Sequence, residues 1–140
     1  MTATRQAAET ESLLDFDFVG FNKLLGFRLA EWATDHAVLE VEIRPDLLNR
    51  SGILHGGVVA SMIDAVGGFC GTYTGSDDVR RRVLTLSLTT SYIGQAVQGT
   101  VRATAKRRPG GRKIYVATVE VTNAAGDVIA VGEGTYRYRD

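Results

Sequence analysis

Between His55 and Gly71 the chain runs HGGVVASMIDAVGGFCG, a stretch whose single formal charge is Asp64. Val59, Ile63, Val66 and Cys70 recur at helical spacing, with Met62 and Phe69 beside them, so the segment is predicted to be one long helix with a broad apolar stripe. About a quarter-turn round, a second stripe holds Ala60, Asp64, Gly67, Gly68 and Gly71, which places the one charge among residues with almost no side chain. Such a surface admits a close approach. A helix this apolar has to be covered, and the sequence on either side of it supplies the cover as strands. A membrane span is a poor alternative, because Ser51 to Ser76 carries His55, Asp64 and seven glycines.

Before the helix, Ser12 to Leu25 is predicted to be a short helix with a Ser12/Asp15 cap, and Phe27 to Trp32 a first strand. His36 to Arg44 alternates, with Ala37, Leu39, Val41 and Ile43 on one face and His36, Val38, Glu40, Glu42 and Arg44 on the other. Pro45 to Ile53 reads as a loop. After the loop Gly75 to Arg82, four strands are expected at Val83 to Ile93, Gly99 to Arg107, Lys113 to Thr122 and Val128 to Tyr138, joined by tight turns at Pro109-Gly110-Gly111 and Asn123 to Asp127 into a sheet of consecutive antiparallel strands. In the first of these, strict alternation puts Leu84, Leu86, Leu88 and Tyr92 on one face and Thr85, Ser87, Thr89 and Ser91 on the other. The fold class is therefore α+β, an antiparallel sheet wrapped round one long central helix. With 140 residues there is room for one core, so residues 12–140 are taken as a single domain and residues 1–11 as a flexible N-terminal arm.

Sixteen basic residues balance sixteen acidic ones, which removes the global positive field expected of a nucleic-acid or anionic-membrane binder. One cysteine, Cys70, cannot close an intrachain disulfide, and Met1 to Ser12 lacks the apolar core of a signal peptide. Both features point to the cytoplasm. Two scattered histidines and one cysteine give no metal-ligand spacing. Cys70 lies on the apolar stripe as packing, and His36 on a polar strand face as a solvated residue.

The chemistry is concentrated in Asn49-Arg50-Ser51-Gly52-Ile53-Leu54-His55-Gly56-Gly57, followed by Asp64. His55-Gly56-Gly57 stands where a loop enters a helix, so unsatisfied backbone N–H groups point outward and glycine lets a ligand oxygen come up to them. Asp64 lies two turns on, a rise of about 12 Å, too far to serve the same small reacting centre as Gly56 within one subunit. Either the two belong to different functions, or a second copy of the chain completes the site.

Leu25-Gly26-Phe27-Arg28, the N-x-x-G-x-x-HGG run from Asn49, Asp64 eight residues after Gly56 and the strand order resemble the hotdog-fold acyl-CoA thioesterases from about Ser12 to Tyr138. The branch resembled is the phenylacetate-pathway (PaaI-like) type, related to one class of 4-hydroxybenzoyl-CoA thioesterase. The resemblance implies that the Gly56 N–H polarises the thioester carbonyl and that Asp64 either activates water or attacks the carbonyl to form a mixed anhydride. It further implies that Asn49 and His55 shape the site near the carbonyl and the thiol, that Thr85 orients the attacking water, and that the Asp and the Gly come from opposite subunits. An active dimer follows, and the family's dimer of dimers makes a homotetramer the expected assembly. No metal or redox cofactor is implied, coenzyme A being part of the substrate.

Some of these residues have plainer roles open to them: His55 as a helix cap, Asn49 as an Asx-turn residue, Gly56 and Gly57 as turn glycines, and Thr85 as one strand hydroxyl among four. Arg107, Arg108, Arg112 and Lys113, with Lys106 nearby, cluster at the Pro109 turn as candidates for the coenzyme A phosphates beside Gly57, and Arg80 to Arg82 form a second cluster. A solvated hairpin tip is the alternative there. Two further activities compete with hydrolysis: non-catalytic acyl-CoA binding, and hydration or dehydration of an acyl chain. The latter needs an Asp/His acid–base pair, and no second histidine lies near Asp64 in the sequence.

Overall fold

The computed structural model describes residues 15–76 and 80–140, so the arm over 1–11 and Ser12 of the expected cap lie outside the described residues. The elements are α1 (Gly20–Leu25), β1 (Arg28–Ala33), β2 (His36–Glu42), a 3₁₀ turn at Pro45–Leu47, α2 (Gly56–Cys70), β3 (Val83–Tyr92), β4 (Thr100–Arg107), β5 (Ile114–Thr122) and β6 (Val128–Tyr138). The six strands form one antiparallel sheet in the order β1-β2-β4-β5-β6-β3. Helix α2 lies across it and touches every strand.

The predicted apolar stripe is the face that the sheet covers: Val59, Met62, Ile63, Val66 and Cys70 are buried against Leu39, Val41, Val101, Val119 and Val121. Ala103, Ala105 and Ala117 are fully buried in the central strands β4 and β5, and such short side chains leave room for a helix to seat closely. The predicted α+β architecture of a sheet around one helix is the one observed. Strand β2 shows the expected alternation with one exception, Val38, which is buried on the polar face.

Three expectations need correction. Within the described part of the helix predicted over Ser12 to Leu25, only Gly20–Leu25 is helical, and its N-cap is Val19, without a side-chain bond. Residues 16–18 lie outside any helix, and Phe16 and Phe18 both set their rings edge-on against Phe69, at 5.0 and 5.6 Å. Side chains two apart share a face in an extended chain and diverge in a helix. The chain leaves α1 through Gly26 at φ 82°, and Arg44 caps the exit by donating to the Leu24 and Leu25 carbonyls at 2.7 and 2.8 Å.

The second correction is the position of β3. It does not pair with β4, the next strand in sequence, but with β6 at the far edge of the sheet. The link to β4 is therefore no tight turn. It crosses beneath the start of α2, pinned as Ile93 and Gly94 N–H donate to the Ile129 carbonyl, Leu54 N–H to Ala96 and Ile43 N–H to Gly99.

The third concerns the faces of β3. A bulge between Thr85 and Ser87 shifts the register from Thr85↔Tyr136 to Ser87↔Thr135. Directly paired residues share a face, so Thr85 joins Tyr92 on the helix side while Ser87, Thr89 and Ser91 face away. The expected hydroxyl column is broken at its first member.

Candidate active site

The loop before α2 is built on Asn49. Its Oδ1 accepts from Ser51 N–H (2.9 Å) and Ile53 N–H (3.1 Å), its own N–H donates to the Ile53 carbonyl, and Gly52 turns the chain at φ 73°. The Asx-turn role is thus filled by the oxygen, while the carboxamide nitrogen has no partner among the described residues. His55 then caps the helix: its Nδ1 accepts from Gly57 N–H at 2.8 Å, which leaves the proton of the neutral ring on Nε2. Val58 and Val59 N–H both donate to the His55 carbonyl.

Of the first-turn donors, the Gly56 N–H alone has no acceptor among the described residues. The donor that the sequence singled out is therefore available to a ligand, beside the positive end of the helix. Sequence reasoning missed its neighbour. Tyr92, half exposed at the end of β3, donates its hydroxyl to the Gly56 carbonyl at 2.6 Å, and a Cβ on Gly56 would stand 3.2 Å from its ring. Regular alternation sets Thr85 and Tyr92, seven residues apart, on opposite faces, and only the bulge puts both on one.

Asp64 is brought together with Thr85. Thr85 Oγ1 donates to Asp64 Oδ1 at 2.6 Å across the edge of the sheet. One carboxylate oxygen is thereby fixed, and the other has no partner among the described residues. Along α2 the Asp64–Thr85 pair and the Gly56–Tyr92 pair are two turns apart, about 12 Å, and β3 touches both, Thr85 near its start and Tyr92 at its end. The glycine stripe beside Asp64 is filled from within: a Cβ on Gly67 would overlap Tyr136, and one on Gly71 would overlap Tyr115.

The basic turn divides. Arg107 donates to the Arg108 and Gly111 carbonyls at 3.2 and 2.7 Å and lies 5.0 Å from the Tyr115 ring centre, so it holds the hairpin. The side chains of Arg108, Arg112 and Lys113 are exposed, with no ion pair among the described residues. Arg81 stacks on Tyr138 and pairs with Asp140 at 3.0 Å, and Arg80 stands over Phe16.

His36 is not the free, solvated residue expected. Its Nε2 lies 2.9 Å from Glu31 Oε1, and Arg102 joins Glu31 to Glu40. The His36 hydrogen bond, against a smaller effect of burial and helped by Arg102, holds the Glu31 carboxyl below its ordinary value. Cys70 is buried, and burial pushes its thiol up to about 12, which suits packing rather than nucleophilic chemistry. Among the described residues no helix is long and apolar enough to cross a membrane.

The thioesterase superfamily model matches residues 51–130, the span from the Gly52 turn through α2, β3, β4 and β5 into the start of β6. The medium/long-chain acyl-CoA thioesterase YigI of Escherichia coli is 30% identical over 97% of this chain and 98% of its own. Among solved structures, the conserved protein PA5202 of Pseudomonas aeruginosa superposes with a TM-score of 0.79 at 26% identity, covering 86% of this chain and 94% of that one. A mutant of the phenylacetic acid degradation protein PaaI from Thermus thermophilus gives 0.72 at 25% identity, covering 84% and 96%. A sheet wrapped round one helix is thus shared with solved structures over most of the chain, and the sequence with a relative over nearly all of it: the protein belongs to the thioesterase superfamily and is a thioester hydrolase of the hotdog fold.

Proposed function

We propose that the chain hydrolyses an acyl- or aryl-acyl-CoA thioester to the free acid and coenzyme A, with Asp64 as the working carboxylate. The observation that carries this reading is the 2.6 Å hydrogen bond from Thr85, which holds one Asp64 oxygen and leaves the other to face a water or the carbonyl carbon. In the general-base route Asp64 takes a proton from water and the resulting hydroxide adds to the carbonyl carbon. The tetrahedral oxyanion is stabilised by the Gly56 N–H, and the C–S bond breaks to release the coenzyme A thiolate. In the alternative route the carboxylate itself adds to the carbonyl, the thiolate leaves, and water hydrolyses the mixed anhydride. Asn49 through its free carboxamide nitrogen and His55 through Nε2 are the further donors within reach of the helix entry. Coenzyme A enters as part of the substrate, and the reaction uses no metal or redox cofactor.

Two copies are needed. Strand β3 is an edge of the sheet and exposes Leu84 and Leu86 at 50% and 53%, with Ile93 just past its end at 63%, an unusual amount of apolar surface for a free edge. Antiparallel pairing of two β3 edges reverses one strand against the other, so the Thr85 end of one copy lies beside the Tyr92 end of the second. The Asp64 of one chain then faces the Gly56 N–H of the other, which closes the 12 Å gap. A dimer of such dimers, the PaaI-like branch and a cytoplasmic location complete the reading. The likeness to PaaI supports an aryl-acyl substrate, and the relation to YigI a medium or long acyl chain.

The test is a panel of aryl and aliphatic acyl-CoAs offered to the purified protein with free thiol as the readout. Thiol release is expected. Saturable binding without release, or water addition across an enoyl bond, overturns the proposal.

A further inference from the structure

We propose that Tyr136 is a positioning residue for Asp64, holding the backbone of the carboxylate-bearing residue while Thr85 holds its side chain. The inference rests on the reading of Asp64 as the working carboxylate. Tyr136 is fully buried on β6, and its hydroxyl donates to the Asp64 carbonyl at 3.0 Å and to the Ile63 carbonyl at 3.4 Å. Its partner across the β3–β6 ladder is Thr85. One cross-strand pair therefore grips Asp64 at two points, Tyr136 on the main chain and Thr85 on the carboxylate.

The seat for this phenol is built by two glycines. A Cβ on Gly67, in the next turn of α2, or on Gly134, two residues away on β6, would overlap the Tyr136 hydroxyl. Tyr136 is also the first of three. Tyr115 stacks on it at 5.2 Å and donates to the Gly67 and Gly68 carbonyls at 2.9 and 3.1 Å, and Tyr138 donates to the Gly71 carbonyl at 2.5 Å. Three hydroxyls spaced about one turn apart fix how far α2 can slide or roll over the sheet, and the one at Asp64 fixes it at the chemistry. Burial, with the nearby Asp64 charge, pushes the Tyr136 phenol well above its ordinary range, so it remains a donor at any working pH.

Removing that hydroxyl frees the Asp64 main chain without touching the substrate. The chemical step should suffer and binding should not. Tyr115→Phe is the matched control, since it deletes equivalent bonds to α2 one turn beyond Asp64. In the full chain, Tyr136→Phe is expected to lower kcat roughly five- to thirtyfold, the scale of a sub-ångström misplacement, with KM within about twofold of wild type. Acyl-CoA and the truncated N-acetylcysteamine thioester should lose the same factor. Tyr115→Phe should lose comparable stability to urea and keep kcat within about twofold of wild type.

A second readout needs no turnover. The ¹³C resonance of the Asp64 carboxyl, assigned by its loss in Asp64→Asn, should move in Tyr136→Phe and stay put in Tyr115→Phe. If wild-type protein released no thiol, the functional reading would fail while this resonance still decided the positioning. An unmoved Asp64 signal in Tyr136→Phe, or an equal loss of kcat in the two variants, overturns the proposal.

Discussion

Thr85 donates a 2.6 Å hydrogen bond to Asp64 from a strand position that regular alternation would turn away from the helix. The bulge between Thr85 and Ser87 supplies the extra residue that brings Thr85 round to the face of Tyr92. The outer edge of the sheet thus carries two hydroxyls toward α2, one at Asp64 and one at Gly56.

Thr85→Val keeps the shape and β preference of the side chain and removes its donor. Its kcat should fall about tenfold, the kinetic equivalent of the lower end of the ~1.5–3 kcal/mol carried by a hydrogen bond to a charged group. Thr85→Ser should retain most of the activity. Steady-state kinetics with one acyl-CoA checks both, and equal losses in the two variants would argue for packing instead of the hydroxyl.

The split within the basic turn leads to different outcomes for neighbouring arginines. Joint replacement of Arg108, Arg112 and Lys113 by alanine should raise KM for acyl-CoA with little change in kcat, because phosphate contacts far from the carbonyl are made equally in ground and transition states. The effect should shrink as salt rises, since exposed charges are screened over about 8 to 10 Å at ~0.1 to 0.15 M. Arg107→Ala should also lower the urea midpoint, through its lost bonds to the Arg108 and Gly111 carbonyls. An N-acetylcysteamine thioester, which lacks the nucleotide, should respond to none of the three exposed substitutions.

Glu31 gives a pH dependence of stability with a definite sign. Its folded value lies below the ordinary 4.5, so its contribution is present above the unfolded value and is lost as pH falls through the lower, folded one. The side chain is 39% exposed, so solvent screening keeps the effect below about 1 kcal/mol. Urea midpoints taken on either side of pH 4.5 should converge between wild type and Glu31→Gln as the solution becomes acidic. A constant gap between the two proteins over that window would contradict the assignment.

Sharing of the site between two copies is tested by mixing. Asp64→Asn and Asn49→Ala proteins should each be nearly inactive, and activity should return once their subunits exchange, because some heterodimers then carry one intact half-site pair. Full activity in a monomer by sedimentation would exclude the shared site.

Much of this was legible in the residues, and what was not has local causes. The apolar repeat from Val59 to Cys70 and the alternation of Ala37, Leu39 and Val41 each report a single element against a single core face, and both survive folding unchanged. Position in the sheet is different: β3 crosses to β6 because of contacts made by Gly94 and Ala96 with residues far away in the chain, which no local pattern encodes. The bulge at Thr85 is hidden for the same reason, since its cause is the pairing with Tyr136 and Thr135. Of the candidate site, helix geometry marked the Gly56 N–H and Asp64 as unusual positions, and the family resemblance supplied the roles expected of them. Tyr92 and Tyr136 could not be found that way, because their targets are main-chain carbonyls, which leave no mark on residue type.

The most direct measurement is the turnover of Asp64→Asn with a free-thiol readout, alongside circular dichroism and acyl-CoA binding on the same preparation. An amide accepts the Thr85 hydrogen bond much as the carboxylate does but is neither a base nor a nucleophile. Turnover should therefore drop by a factor on the order of 10² to 10⁴ with fold and binding nearly intact. A variant that folds, binds and keeps more than about a tenth of the wild-type kcat would show that Asp64 is not the carboxylate that does the chemistry.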